Sequence, residues 1–136
     1  MIKENFLKIN CAIDEAAKKY GKEKDGITLV AVSKKHSIEK IKEAFSLGQR
    51  DFGENFVQEA VNKIITLNDT EINWHFIGHI QSNKTRQISE HFNWVHTVDR
   101  IKIAERLSKH RPRYADDLNI CRSEEHTSEL QSPLDI

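Results

Sequence analysis

Residues 27–48, ITLVAVSKKHSIEKIKEAFSLG, contain a predicted strand followed by a predicted helix, the unit from which the fold can be inferred. The run ITLVAVS is rich in β-branched residues and has the length of a buried strand. Ser37 then precedes a segment with apolar residues at helical spacing, and Gly48 follows that segment where a helix commonly ends. The stretch predicts one β-α unit whose strand ends in two adjacent lysines, Lys34 and Lys35.

The same alternation extends over most of the chain. A helix is predicted over residues 4–20, ahead of the first strand. Further strands are predicted over 50–55, 73–79, 94–99 and 117–121, with an amphipathic helix after each of the first three and Asp99 as the cap of the last helix. The order of one helix, four β-α units and a fifth strand predicts an α/β fold with a parallel sheet and right-handed crossovers.

Two closures of such a sheet compete. An open doubly wound sheet normally carries a glycine-rich phosphate loop after its first strand, and the sequence has none there. A closed (β/α)8 TIM barrel needs eight units in about 250 residues, whereas this chain of 136 residues supplies about four and a half. Under either closure the chain corresponds to part of a fold, and the pattern alone leaves both open.

The strand and helix pattern stops at residue 121. Residues 122–136, RSEEHTSELQSPLDI, are rich in Ser and Glu and lack either periodicity. One interpretation is a disordered tail. The other, which we favour because a natural tail should not begin inside a buried strand, is the translation of a sequencing-adapter oligonucleotide, whose residue order this segment resembles. We therefore predict a domain over 1–121 and a non-native or disordered tail over 122–136.

Charge and composition exclude several classes of protein. Lys and Arg number 21 against 21 Asp and Glu, so neither nucleic acid nor an anionic membrane is an expected partner. No apolar run approaches the ~20 residues of a membrane span, and the charged N-terminus lacks the apolar block of a signal peptide. Cys11 and Cys121 are far apart and are expected to be free thiols, which is typical of a cytoplasmic protein.

The predicted strand ends bring polar side chains to one edge of the sheet, where ligands of parallel α/β folds bind. A lysine that is partly desolvated there has a lowered pKa and can act as an amine nucleophile toward an aldehyde. The simpler interpretation of a Lys-Lys pair is a solvated strand end. Lys34 is in phase with Val30 and Val32, and Lys35 with the alternate residues, so only one lysine points inward. The alternation of side chains along the strand does not indicate which of the two lysines points inward.

Three motifs resemble those of one known family. They are AVSK (31–34), FGENFVQE (52–59) and IGHIQSNK (77–84), and the similarity extends from about residue 4 to Cys121. In combination they resemble the pyridoxal phosphate homeostasis proteins. The resemblance implies a TIM barrel of the alanine racemase N-terminal type, truncated here to about four and a half βα units. It also implies pyridoxal phosphate as the cofactor, held by Lys34 as an internal aldimine, with Lys35 on the outside.

The resemblance suggests further residues of the site. Asn55 follows the second strand and is expected to contact the cofactor ring or its surroundings, with a helix N-cap as the alternative role. His79 and Asn83 are expected to line the mouth of the barrel, although Asn83 could be only a helix cap. His36 stands where the family often has a second lysine. No metal site is expected, because His75 and His79 lack a third ligand at a recognisable spacing.

The function implied by the resemblance is a binding role, with no established turnover. Such a protein holds pyridoxal phosphate for intracellular vitamin B6 homeostasis, and apo pyridoxal-phosphate enzymes are its candidate partners. One alternative is a racemase-type enzyme, which would need a second acid-base group that related racemases take from a separate β domain. The other is a truncated, non-functional fragment that binds the cofactor weakly or not at all and tends to associate, since barrels commonly hold phosphate after their seventh and eighth strands.

Overall fold

The computed structural model describes residues 2–23, 26–68 and 70–122. The helices are α1 (Ile2–Lys19), α2 (Ile38–Ser46), α3 (Val57–Thr66), α4 (Thr85–His91) and α5 (Ile101–His110), with a short 3-10 helix at Ser82–Lys84. The strands are β1 (Ala31–Val32), β2 (Asp51–Glu54), β3 (Asn73–Phe76), β4 (Trp94–Val98) and β5 (Asn119–Arg122). The predicted succession of one helix, four β-α units and a fifth strand is confirmed. Arg122, the first residue of the predicted tail, ends β5, and 123–136 lie outside the described residues.

The five strands form one sheet in the order β1-β2-β3-β4-β5, and every neighbouring pair is parallel. The most regular ladder joins β2 to β3, from Asp51 opposite Asn73 to Glu54 opposite Phe76. Parallel strands joined by helices in this way require the crossover connections that the alternating pattern predicted. The α/β fold with a parallel sheet is therefore confirmed.

Strand β1 is shorter than the predicted 27–33, and within the described sheet it pairs only with β2, through Ala31 and Val32. Its flanking residues are held by other bonds. The Gln49 side-chain amide donates to the Leu29 carbonyl oxygen at 2.6 Å, and the Ser33 backbone N–H donates to the Gly53 carbonyl oxygen at 3.0 Å. The residues on both sides of the two-residue strand β1 are thus bonded to β2 or to Gln49 shortly before it.

The hydrophobic core lies between one face of the sheet and the helices. Alternate strand residues project onto that face and are almost fully buried: Phe52, Trp74, Phe76 and Val95. They pack against apolar residues of α2 to α5, namely Ile41, Ala60, Ile88, Ile103 and Leu107. These four helices therefore cover the same face, whereas a doubly wound sheet carries helices on both.

The opposite face of the sheet, called here the inner face, holds glycine, aliphatic, aromatic and polar residues. A Cβ added to Gly53 would lie 3.2 Å from side-chain atoms of both Val30 and Ile77, so these three positions share that face. His75 is in register with Gly53, and Asp51 precedes Gly53 by two residues. By the alternation of a strand, both side chains project onto the inner face.

Of the two sequence-predicted helix caps, Ser37 is confirmed and Asp99 is wrong. The Ser37 hydroxyl oxygen accepts from the Lys40 N–H at 3.3 Å and caps α2, and Gly48 just after α2 has a φ of +109°. At α5 the N-cap position is occupied by Arg100, with no side-chain cap. Asp99 lies one residue before that position, and its carboxylate is 3.5 Å from the Arg100 guanidinium.

Two further expectations concern the surroundings of the protein. Cys11 and Cys121 are both free, as predicted. Within the described ranges, no helix combines the length and the apolar character that crossing a bilayer requires.

The core predicts a contrast between two isoleucines on neighbouring helices. Ile88 is 0% exposed on α4, and Ile101 is 79% exposed on α5. We expect Ile88→Ala to lower the free energy of unfolding by about 2–5 kcal/mol, since it removes buried methylenes and leaves a cavity. Ile101→Ala, as the matched control, should change it by less than about 0.5 kcal/mol. Urea unfolding followed by circular dichroism measures both, and equal losses would contradict this description of the core.

Candidate functional site

The two lysines lie in the turn between β1 and α2. Both side chains are exposed, while Ser33 before them is buried. Val32 is in register with Gly53 on the inner face, and Lys34 is the next residue in that phase, although the strand itself ends at Val32. Lys35 has a φ of +62°, which is uncommon for a residue with a side chain.

A buried ionic cluster lies directly beneath this turn, and we call it the Lys63 cluster: Ser33, Glu54, Glu59 and Lys63. The Lys63 ammonium donates to Glu54 Oε2 at 3.0 Å, to Glu59 Oε1 at 2.8 Å and to the Ser33 carbonyl oxygen at 2.8 Å. The Ser33 hydroxyl also donates to Glu54 Oε2. Glu54 is 0% exposed and Lys63 is 6% exposed, whereas the Glu59 side chain is 30% exposed and remains in partial contact with water.

Glu59 links the cluster to the turn. Its Oε1 accepts from the Lys35 backbone N–H at 2.7 Å as well as from Lys63. The hydrogen bond from Lys63 holds the pKa of Glu59 below its ordinary value, partial burial opposes this, and the Lys35 N–H adds to the lowering. The carboxylate form of Glu59 is therefore the one that this arrangement stabilises.

A second feature lies where β2 and β3 end. A Cβ on Gly78 would lie 2.9 Å from the Asn55 Cα and closer still to the Asn55 carbonyl oxygen, so only glycine permits this approach of two loops. The Thr97 hydroxyl donates to the Gly78 carbonyl oxygen at 2.5 Å and joins the end of β4 to the same loop. The loops enclose an open cavity of about 500 Å³, lined by Asn55, Phe56, Val57, Gln58, Phe76, Gly78, His79, Gln81 and Lys84.

Asn55 carries an unsatisfied polar atom at this cavity. Its side-chain oxygen Oδ1 is buried and has no hydrogen-bond partner among the described residues. The N-cap position of α3 belongs to Phe56, with no side-chain cap, so Asn55 does not have the alternative capping role. A buried acceptor without a partner is uncommon, and this one belongs to a residue that lines the cavity.

The structure brings together two of the four sequence-predicted site residues. Asn55 and His79 both line the cavity. Lys34 is not among its lining residues, and neither is Asn83, which is exposed in the 3-10 helix. Asn83 does not cap α4, since Lys84 occupies that position without a side-chain bond.

Sequence reasoning missed the Lys63 cluster, although one signal was present. Lys63 follows Ala60 by three residues and so lies on the buried side of α3, where a charged side chain needs a partner. Glu59, one turn before Lys63, is a local candidate for that partner. The contacts of Lys63 with Ser33 and Glu54 join different elements of the fold, and no local sequence pattern predicts them.

A second polar network, separate from the Lys63 cluster, lies on the inner face. His75 Nε2 lies 2.8 Å from Asp51 Oδ1, and its Nδ1 lies 2.8 Å from His96 Nε2. The Trp94 ring stacks on His75 with the ring centres 5.6 Å apart. Both ring nitrogens of His75 are thus occupied by hydrogen bonds, which explains how an imidazole that is almost fully buried is accommodated.

The fold and the site define a class of protein: a parallel α/β protein with polar side chains and a cavity at the carboxyl ends of its strands. No family model matches the chain. Over 120 residues the chain is 52% identical to the pyridoxal phosphate homeostasis protein of Pseudomonas aeruginosa, covering 88% of this chain and 52% of that relative. It is 46% identical over 122 residues to the protein of the same name in Escherichia coli, with the same two coverages.

The structure is similar to PipY of Synechococcus elongatus solved with pyridoxal phosphate bound. The TM-score is 0.63 at 33% identity, over 90% of this chain and 62% of that one. The resemblance seen in the sequence is therefore confirmed: this chain is related to the pyridoxal phosphate homeostasis proteins. It spans about half the length of the curated relatives it matches.

The close approach at Gly78 predicts that this glycine cannot be replaced freely. Gly78→Ala would place a methyl group against the Asn55 backbone, and we expect it to lower the free energy of unfolding by about 1–3 kcal/mol. Gly26 has no atom within 4 Å of an added Cβ, so Gly26→Ala is the matched control and should be neutral or slightly stabilising. Denaturant unfolding compares the two; a neutral Gly78→Ala would mean that the loops do not approach this closely.

The lowered pKa of Glu59 predicts an acid-dependent part of the stability. Ionised Glu59 stabilises the fold at pH values above its ordinary pKa of 4.5, and this contribution is lost as the pH falls through the lower pKa of the folded state. Glu59→Gln should therefore reduce the dependence of unfolding free energy on pH below about 5. The effect is modest because the Glu59 side chain is 30% exposed. Glu105→Gln on the exposed side of α5 is the control, and unchanged pH dependence in Glu59→Gln would contradict the assignment.

Proposed function

We propose that this chain forms the lysine-bearing part of a pyridoxal phosphate binding barrel that serves cytoplasmic vitamin B6 homeostasis. The observation that carries the proposal is the similarity to the pyridoxal phosphate homeostasis proteins of two bacteria. This similarity extends over a stretch that includes the β1–α2 turn with Lys34. The PipY structure, solved with pyridoxal phosphate bound, supports the same cofactor for this chain. Apo enzymes that depend on the cofactor are the proposed recipients.

The residues present fit a cofactor of this size and polarity. Pyridoxal phosphate supplies an aldehyde, with which a primary amine condenses. Lys34 offers that amine at the end of β1, in phase with the inner face. The buried side-chain oxygen of Asn55 has no hydrogen-bond partner among the described residues, and the cavity that Asn55 lines, of about 500 Å³, is within the range of small-molecule sites. His79 lines the same cavity and can donate or accept a hydrogen bond there.

Two features of the sheet support the barrel. Its strands follow one another in chain order, and α2 to α5 cover a single face, as in a sheet that closes around its inner face. The described residues supply five strands, whereas barrels commonly hold phosphate in the loops after strands seven and eight. We therefore expect this chain to retain pyridoxal phosphate weakly unless the bond to lysine is made permanent.

Chemical trapping tests the assignment of Lys34. The full chain is incubated with pyridoxal phosphate, reduced with borohydride, digested and mapped by mass spectrometry. Reduction makes the link irreversible, so a weakly populated adduct accumulates. We expect the pyridoxyl group mainly at Lys34, and Lys34→Ala to lose most of it.

Lys35→Ala is the matched control for this experiment, because it removes the neighbouring exposed amine and leaves Lys34 in place. It should keep most of the trapped adduct. Labelling spread evenly over the exposed lysines, or lost equally in the two variants, would contradict the proposal. An assay of α-proton exchange in amino acids, run with the full-length parent protein, would show turnover if the protein were a racemase-type enzyme.

A further inference from the structure

Lys63 uses all of its hydrogen-bonding capacity within the cluster. An ammonium group has three N–H donors, and Lys63 donates to Glu54, Glu59 and the Ser33 carbonyl oxygen at distances between 2.8 and 3.0 Å. Two of these acceptors are side chains, and the third is the backbone of the residue immediately before Lys34. The ammonium group therefore fixes the point at which the chain leaves β1.

The same cluster fixes the turn two residues later. Glu59 accepts from the Lys35 N–H at 2.7 Å, and the His36 N–H donates to the Ser33 carbonyl oxygen at 3.0 Å. Lys35 has a positive φ of 62°, a conformation that costs an L-residue free energy and persists only where the surroundings enforce it. The contact with Glu59 supplies that enforcement, and Lys34 is thus held between two backbone groups bonded to the cluster.

Stability alone is a poor explanation for this arrangement. A buried ion pair is often no more stabilising than apolar residues of similar volume, and its value can lie in fixing one conformation. Here Glu54 Oε1 is buried with no hydrogen-bond partner among the described residues, so the cluster is incompletely satisfied. Its bonds to backbone are directed at the Ser33–Lys35 turn.

We propose that Lys63 and Glu59 are positioning residues, which hold the Ser33–Lys35 turn so that Lys34 and not Lys35 reaches an aldehyde ligand at the inner face. This rests on the proposed function, which assigns the attachment to Lys34. Neither residue touches the ligand in this proposal. They act through the Ser33 carbonyl group and the Lys35 N–H, and they set which of two adjacent amines is presented.

Glu59 offers the sharper test, because truncating Lys63 alone would leave the fully buried Glu54 carboxylate without its cation and endanger folding. Glu59→Ala removes both bonds to the turn and to Lys63. Glu59→Gln keeps a carbonyl oxygen that can accept from the Lys35 N–H and is the conservative variant. Glu105→Gln on α5 is the remote control.

The measurement is the ratio of trapped pyridoxyl adduct at Lys34 to that at Lys35, determined by borohydride reduction and peptide mapping of each folded full-length variant. Loss of a hydrogen bond to a charged group should lower this ratio about tenfold in Glu59→Ala. Glu59→Gln should retain most of the selectivity, and Glu105→Gln all of it. Amide hydrogen exchange at Lys35, without any ligand, should show protection in wild type that Glu59→Ala loses.

The outcomes separate the two proposals. If wild type is trapped at Lys34 and Glu59→Ala has the same ratio, the positioning role is wrong and the function stands. If wild type gives no adduct at Lys34, both are overturned. A lower melting temperature with an unchanged ratio would assign the cluster to stability alone. The double variant K63M/E54Q, which removes both buried charges together, should lower the ratio as Glu59→Ala does.

Discussion

The pleat of the parallel sheet determines which side chains of neighbouring strands can meet. Because successive residues of a strand point to opposite faces, each strand divides its side chains between the helix-covered core and the inner face. Phe52 and Trp74 are committed to the core, while Gly53 and His75, one residue further along, are on the inner face. The parallel arrangement then brings every strand to its end at the same edge.

At that edge the regular strands end, and specific contacts hold the loops that follow them. The turn after β1 is tied to an ammonium and a carboxylate on α3, and the loop after β3 approaches the backbone after β2 where only glycine fits. These contacts join elements that are distant in sequence, such as Ser33 and Lys63. The polar groups of the site are therefore held by the helices behind the sheet as well as by the strands that carry them.

The sequence predicted features that depend on local chemistry. The order of elements and the Ser37 cap follow from periodicity and from side-chain bonds within one turn. Asp99 met the same local rule as Ser37, yet the adjacent Arg100 guanidinium lies beside its carboxylate. The placement of Asn55 and His79 at one cavity follows from parallel strands ending at one edge, and was foreseeable.

Other features could not be read from the sequence. The positive φ of Lys35 interrupts the two-residue period that would relate it to the strand, and its N–H is bonded to a carboxylate 24 residues away. The choice between Lys34 and Lys35 depends on which strand face the helices cover, which needs the packed structure. Lys63 lies among apolar residues of α3, so its sequence position indicates burial but not its partners.

The polar network of Asp51, His75 and His96 on the inner face determines which ring nitrogens carry hydrogen. An ionised Asp51 can only accept, so His75 must carry hydrogen on Nε2, and in its neutral form its Nδ1 must accept from His96 Nε2. One tautomer of each neutral imidazole is thereby selected.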